Sequence, residues 1–136
     1  MYSTAELAEI AFYQAFEDAN VETMMAVWSG AEEISCIHPT GPVLVGVDVI
    51  RESWKQIFAG GSGVTIQVNV LREYASVTQV VHLVEEHLTV TGNTAQQGHV
   101  FATNVYQLEE GGWRMVSHHG APAPRPTQTN KAPTLH

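Results

Sequence analysis

Histidines and one pair of adjacent glutamates carry most of the proton chemistry open to this chain of 136 residues. His38 closes an apolar stretch just before Pro39. Its imidazole, titrating near pH ~6.5 when unperturbed, could act as a weak general base or polar anchor, or could simply bond the next loop and fix its course. His118 and His119 are neighbours, so on a strand they face opposite ways and cannot chelate one ion as a pair. His119 shares its parity with Trp113 and Met115, the more apolar set. It is therefore the candidate for the interior, and His118 is left for solvent or a partner. His82 and His87, five apart, also face opposite ways. Neither has a carboxylate or cysteine at a recognisable ligand spacing, so no metal is expected. Of Glu85 and Glu86, one must point inward on a strand. A carboxyl enclosed by apolar groups titrates high and can work as acid or base; the other reading places it at a sheet edge or pairs it across a dimer. The remaining carboxylates, such as Glu9, Glu22, Glu52, Glu109 and Glu110, read as exposed helix faces or turns.

Tyr13, Trp28, Trp54, Phe101 and Tyr106 are core by type. Tyrosine and tryptophan, with one polar atom on an apolar body, also suit the wall of a small-molecule pocket. Asn104 stands among strand-formers, and its amide must find partners. The candidate pocket set is Tyr13, Trp28, His38, Trp54, Asn104, Tyr106 and His119, with His38 and His119 as candidate catalytic residues. Gly60-Gly61-Ser62-Gly63 lacks the lysine of a phosphate loop, and no serine sits in a nucleophile elbow. No cofactor is expected.

These side chains need a frame. Ser3 and Glu6 form a capping-box pattern, which predicts a helix from Ser3 with a stripe of Ala8, Phe12, Ala15, Phe16 and Ala19. Asn20 caps a second short helix carrying Met24, Met25, Val27 and Trp28. Ile34 to His38 reads as a strand, and Val43 to Val45 pairs back on it. A third helix follows Gly46, with Ile50, Trp54, Ile57 and Phe58 on one face. From Val64 the period changes to two. Val64 onward, Val77 to Thr91, Gly98 to Glu109 and Trp113 to His119 supply four strands, the last two joined at Glu110-Gly111-Gly112. Val80, Val84, Leu88 and Val90 point one way and Val77, Val81 and Leu83 the other, so both sheet faces are covered. Helices can cover one; a second copy of the sheet is the simplest cover for the other, through an interface of at least about 1,200 Å².

Helices first and a long antiparallel sheet after them is α+β architecture in one domain over residues 1–121. Residues 122–136, rich in proline, read as a disordered tail. The formal charge is -8, and the last sixteen residues hold Arg125 and Lys131 but no acid, so the body carries -10. Such a body repels nucleic acid and anionic membranes. No run of residues is long and apolar enough for a bilayer span. The start of the chain shows no secretory pattern, and the lone Cys36 fits a reducing compartment, so the expected location is cytoplasmic.

Two stretches carry a family resemblance: Cys36-Ile37-His38-Pro39, Gly46 and Ile50 to Phe58; then Ala102-Thr103-Asn104-Val105-Tyr106 through Gly111-Gly112-Trp113 to His118-His119. In order and spacing they resemble the SnoaL-like and calmodulin-kinase-association-like branch of the nuclear-transport-factor-2-like superfamily. The resemblance implies three helices on a strongly curved, mainly antiparallel sheet around a conical cavity, often paired as a dimer. Ser117, and Gly120-Ala121 after the last histidine, depart from the family pattern. The resemblance leaves two functions open. One is a small-molecule-binding domain acting as a cofactor-independent acid–base enzyme of isomerase, dehydratase or hydrolase type on a largely apolar substrate. The other is a non-catalytic homodimerisation or association module with a residual cavity.

Overall fold

The structure, a computed structural model, describes residues 1–61 and 63–124, with 93–96 described by backbone only. The expected tail beyond residue 124 lies outside the described residues.

Helix α1 spans Ala5–Asp18, and its N-cap is Thr4, whose hydroxyl accepts from Leu7 N–H at 3.1 Å. The expected start at Ser3 is thus one residue early. Ala8, Phe12 and Ala15 are buried as the stripe requires. Helix α2, Val21–Val27, is capped by Asn20, whose side chain accepts from Thr23 N–H at 3.0 Å. Strands β1, Ser35–Ile37, and β2, Leu44–Val45, pair antiparallel. Helix α3, Val47–Phe58, buries Ile50, Trp54 and Phe58. Ile57, expected on that face, is instead 41% exposed, because it lies at the edge of a stripe centred on Trp54.

The long strands follow: β3 Val64–Ala75, β4 Gln79–Val90, β5 Asn93–Glu109 and β6 Gly112–Pro122. They form one unclosed sheet ordered β2-β1-β6-β5-β4-β3, antiparallel except where β1 runs parallel to β6. This is α+β, with three helices packed on a mixed, mostly antiparallel sheet. Beyond the expected domain end, Pro122 still pairs with Val100 and Ala123 N–H bonds the His99 carbonyl at 2.9 Å.

Two of the three register shifts in the sheet bear on the site by resetting side-chain parity. In β3, Val70 pairs with Val84 and Arg72 with Leu83, leaving Leu71 as an extra residue. In β6, Ser117 pairs with Val105 and Met115 with Tyr106, leaving Val116 as the extra one. Each bulge swaps the faces of every residue beyond it. Between helices and sheet, Phe12, Met24, Ile34, Ile50, Trp54, Tyr106 and Met115 are fully buried. Phe12, Phe16, Trp54 and Phe58 meet at ring separations of 5.2–6.5 Å. Among the described residues no helix is long and apolar enough to cross a membrane.

Candidate functional site

Among the described residues, the helix-facing side of the sheet carries a continuous polar cluster. Its base is Asn104, fully buried on β5. The Asn104 amide nitrogen donates to Glu9 Oε2 at 3.1 Å and to the Tyr13 hydroxyl at 2.9 Å. With both amide hydrogens committed, Asn104 Oδ1 is the acceptor, so the 2.6 Å contact to His118 Nδ1 requires a proton on that nitrogen. Tyr13 donates to Glu86 Oε2 at 2.6 Å, and Tyr106 donates to Glu9 Oε2 at 2.7 Å. The other Glu9 oxygen lies 2.8 Å from His82 Nδ1, and His82 Nε2 lies 2.7 Å from Glu73 Oε2. The Glu73 side chain is 58% exposed while that of His82 is 4% exposed, so this chain of contacts runs from the interior to solvent.

The electrostatics divide along that chain. Burial works against charge on His82, yet the hydrogen bonds and charges of Glu73 and Glu9 outweigh it and raise its pKa, favouring imidazolium. Burial pushes the Glu86 carboxyl up to about 7, against the lowering effect of the Tyr13 hydrogen bond. Burial also raises the Tyr13 and Tyr106 hydroxyls, reinforced by the nearby carboxylates. His118 is driven down to about 3 by burial, with His38 and His119 adding to the effect, so it is a neutral ring.

A depression of about 370 Å³ opens between α1 and β3, lined by Glu9, Tyr13, His82, Ile10, Ile66 and Val68 among others. Its lining is mixed: Ile10, Ile66, Val68 and Val70 supply apolar surface, and Glu6, Glu9, Tyr13, Gln14, Glu17 and His82 supply polar groups. Glu17 holds α1 to this edge by accepting from Ile66 N–H at 2.7 Å.

Of the residues singled out from sequence, Tyr13 lines the depression, and Asn104 and Tyr106 stand behind it as partners of Glu9. Trp54 is core, stacked edge-on against Phe12 and His38. Trp28 is buried where the chain leaves α2, bridging Met115. The indole nitrogens of both tryptophans are buried without a hydrogen-bond partner among the described residues. His38 is half-buried, with Nε2 2.9 Å from the Ser53 hydroxyl, and burial lowers its pKa. That hydroxyl itself donates to the Ile50 carbonyl at 2.7 Å, so His38 ties β1 to α3.

Three expectations are corrected. His118, not His119, faces the interior: His118 is buried and His119 exposed, because the extra residue Val116 reverses parity between Met115 and the histidines. Glu9 is not on an exposed face; it is 6% exposed, sharing the buried stripe with Ala5, Ala8 and Phe12. And His87 does have a carboxylate at ligand spacing, since Glu85 precedes it by two residues on the same, outer face.

Sequence reasoning missed the Glu9–His82–Glu73 chain. Part of the signal was present: Glu9 precedes Phe12 and Tyr13 by three and four residues, and His82 and Glu86 alternate with Val80 and Val84. Glu73 had no such signal, because the Leu71 bulge brings it opposite His82.

The model of the SnoaL-like domain matches residues 8–125. Among solved structures, the chain is similar to one from Thiobacillus denitrificans, named for a calcium/calmodulin-dependent protein kinase type II association domain. Identity is 38%, with a TM-score of 0.86, covering 91% of this chain and 98% of that one. A structure from Streptomyces avermitilis, named as a dehydratase of the NTF2-like family, is 27% identical with a TM-score of 0.79, covering 88% of this chain and 94% of that one. A curated relative, the F-box protein SKIP8 of Arabidopsis thaliana, is 26% identical over 81% of this chain and 46% of that protein. The chain therefore spans less than half the length of that relative.

Proposed function

Since this chain belongs to the SnoaL-like domain family, we propose that it binds a small, largely apolar molecule between α1 and β3 and transfers a proton on it, with Glu9 as the base. One observation carries this reading. Glu9 lines the depression and also ends a carboxylate–imidazole–carboxylate chain that reaches solvent at Glu73. Tyr106 and Asn104 hold Oε2 of Glu9, which leaves Oε1, shared with His82, as the oxygen that takes the proton. As Glu9 takes that proton, the negative charge passes from Oε1 to the substrate beside the His82 imidazolium, so the net charge of the site is unchanged. A base set within reach of a substrate proton contributes roughly 10²–10⁴-fold in rate. The likeness to a structure named as a dehydratase supports the same chemical class.

Native mass spectrometry of the untagged chain, followed by crystallography of any retained ligand, tests the reading. The ligand belongs against Glu9, Tyr13 and Ile66, and Glu9→Gln then lowers turnover of a matching substrate by about 10²-fold or more. A ligand seated elsewhere, or full activity in Glu9→Gln, sinks it.

A second reading, a homodimer through the outer sheet face, is favoured by Val81, Leu83, Phe101 and Val105, which lie there only half covered. The similarity to a structure named for an association domain points the same way. Sedimentation equilibrium at low micromolar concentration should return twice the chain mass; a clean monomer would leave only the pocket reading.

A further inference from the structure

On the face of the sheet away from the helices, Glu85 and His87 project side by side from β4, and His99 stands directly across from His87 on β5. The two imidazoles stack with ring centres 4.4 Å apart and planes 15° from parallel. Both turn Nε2 toward one carboxylate oxygen: Glu85 Oε2 is 2.7 Å from His99 Nε2 and 3.5 Å from His87 Nε2. All three potential donor atoms lie within 4.8 Å of one another.

We propose that Glu85, His87 and His99 form a binding site for a zinc-class divalent cation, with three protein ligands and a fourth position open to the surface. Four donors arranged tetrahedrally at about 2.0–2.2 Å from zinc stand about 3.3 Å apart. Glu85 Oε2 already stands 2.7 and 3.5 Å from the two imidazole nitrogens, and rotation of the stacked rings would turn both nitrogens onto one ion. Two imidazoles and one carboxylate suit zinc, cobalt or nickel over magnesium or calcium, which favour oxygen ligands. The supports are in place too. Asn69, opposite Glu85 on β3, hydrogen-bonds the Glu85 carboxylate, and Phe101 packs on His99 at 5.4 Å. Such partners orient ligands and typically change metal affinity by about 10–100-fold. Paired strands hold the ligands more firmly than loops would. Above them lies an open depression of about 600 Å³ whose lining includes His87, His99, Asn69, Gln67 and Thr89, leaving room for water or an exogenous ligand at the fourth position. The site is separate from the Glu9 cluster, which lies on the opposite face.

The test is titration of the untagged, chelator-stripped chain with cobalt(II), read by visible absorption and then by zinc competition. One equivalent should bind with the intense bands of low-coordinate cobalt, and zinc should displace it. Zinc should also raise Tm by several degrees and shift the ring resonances of His87 and His99 in the unmodified protein. His87→Gln and His99→Gln should each weaken binding at least tenfold, and Asn69→Ala about tenfold, while His119→Gln, on the same face, leaves it unchanged. Absence of stoichiometric binding up to millimolar metal overturns the proposal. So does binding that survives His87→Gln and His99→Gln, or ring shifts confined to other histidines.

Discussion

Glu85 and Glu86 are neighbours on β4, and the strand sends them into opposite environments. Glu86 enters the helix-covered face, where burial drives its carboxyl up to about 7. Glu85 faces outward, where the hydrogen bond from His99 holds its carboxyl below the ordinary range, against some desolvation and with help from Asn69 and His87. The inner cluster is largely buried and hydrogen-bonded, so its protonation states are tied to folding. The outer cluster is wet, so its groups can exchange protons or ions with solvent at little cost to the fold. The same residue types thus carry the proposed proton-transfer site on one face and the proposed ion-binding site on the other.

The largest expected effect that could break this contrast is at His118. Its folded pKa of about 3 lies below the ordinary value of 6.5. As pH falls from 6.5 toward 3, the unfolded chain gains a proton that the folded interior refuses. Stability should drop by up to roughly 5 kcal/mol from this residue. Urea unfolding across that range should show a flatter profile for His118→Gln, which keeps a donor for Asn104. Parallel profiles would mean that the inner face is wetter than its burial implies.

Next is Asn104→Ala, which strands the His118 donor and removes partners from Glu9 and Tyr13. At about 1–3 kcal/mol for each buried group left unpaired, a loss of about 4 kcal/mol is expected. Thr103→Ala, one residue away on the outer face, should stay within ~0.5 kcal/mol. Equal effects in chemical denaturation would erase the distinction between the faces.

Glu86 supplies a smaller effect of opposite sign. Its raised pKa favours the fold below pH 4.5, and that contribution is lost as pH rises through about 7. Glu86→Gln, which has no such loss, should therefore gain roughly 3 kcal/mol on the parent between pH 4.5 and 8. Glu85→Gln, measured with chelator present, should track the parent closely, and any acid-side difference should fade with added salt. A large effect at Glu85 would show that the outer face is covered, which would sharpen the case for a paired sheet.

Much of the frame was legible because local forces write it. Asn20 caps α2, Ile50, Trp54 and Phe58 face inward at helical spacing, and the Glu110-Gly111-Gly112 turn joins the last two strands. Tyr13, Asn104 and Tyr106 were found by residue type and do enter the polar cluster. Glu9 was misplaced for a different reason: its charge argued for solvent, while its position on the stripe argued for the core. Position prevailed because His82, Asn104 and Tyr106 satisfy both its oxygens, which removes most of the cost of burying a carboxylate.

By itself, then, the sequence determined the elements, their order and the alternation within each strand. Tertiary structure alone decided where that alternation is interrupted. Met115 is fixed from one side, where Ser29 N–H bonds its carbonyl at 2.9 Å, while Ser117, His118 and His119 are fixed by pairing with Ser35, Cys36 and Ile37. The span between those two anchors is one residue too long for a regular ladder on β5, and Val116 absorbs the excess. Leu71 does the same in β3 and so places Glu73 opposite His82. A bulge arises from the mismatch between two chains' hydrogen-bond registers, and one strand's own residues do not contain that mismatch. One such residue was enough to exchange His119 for His118 in the interior.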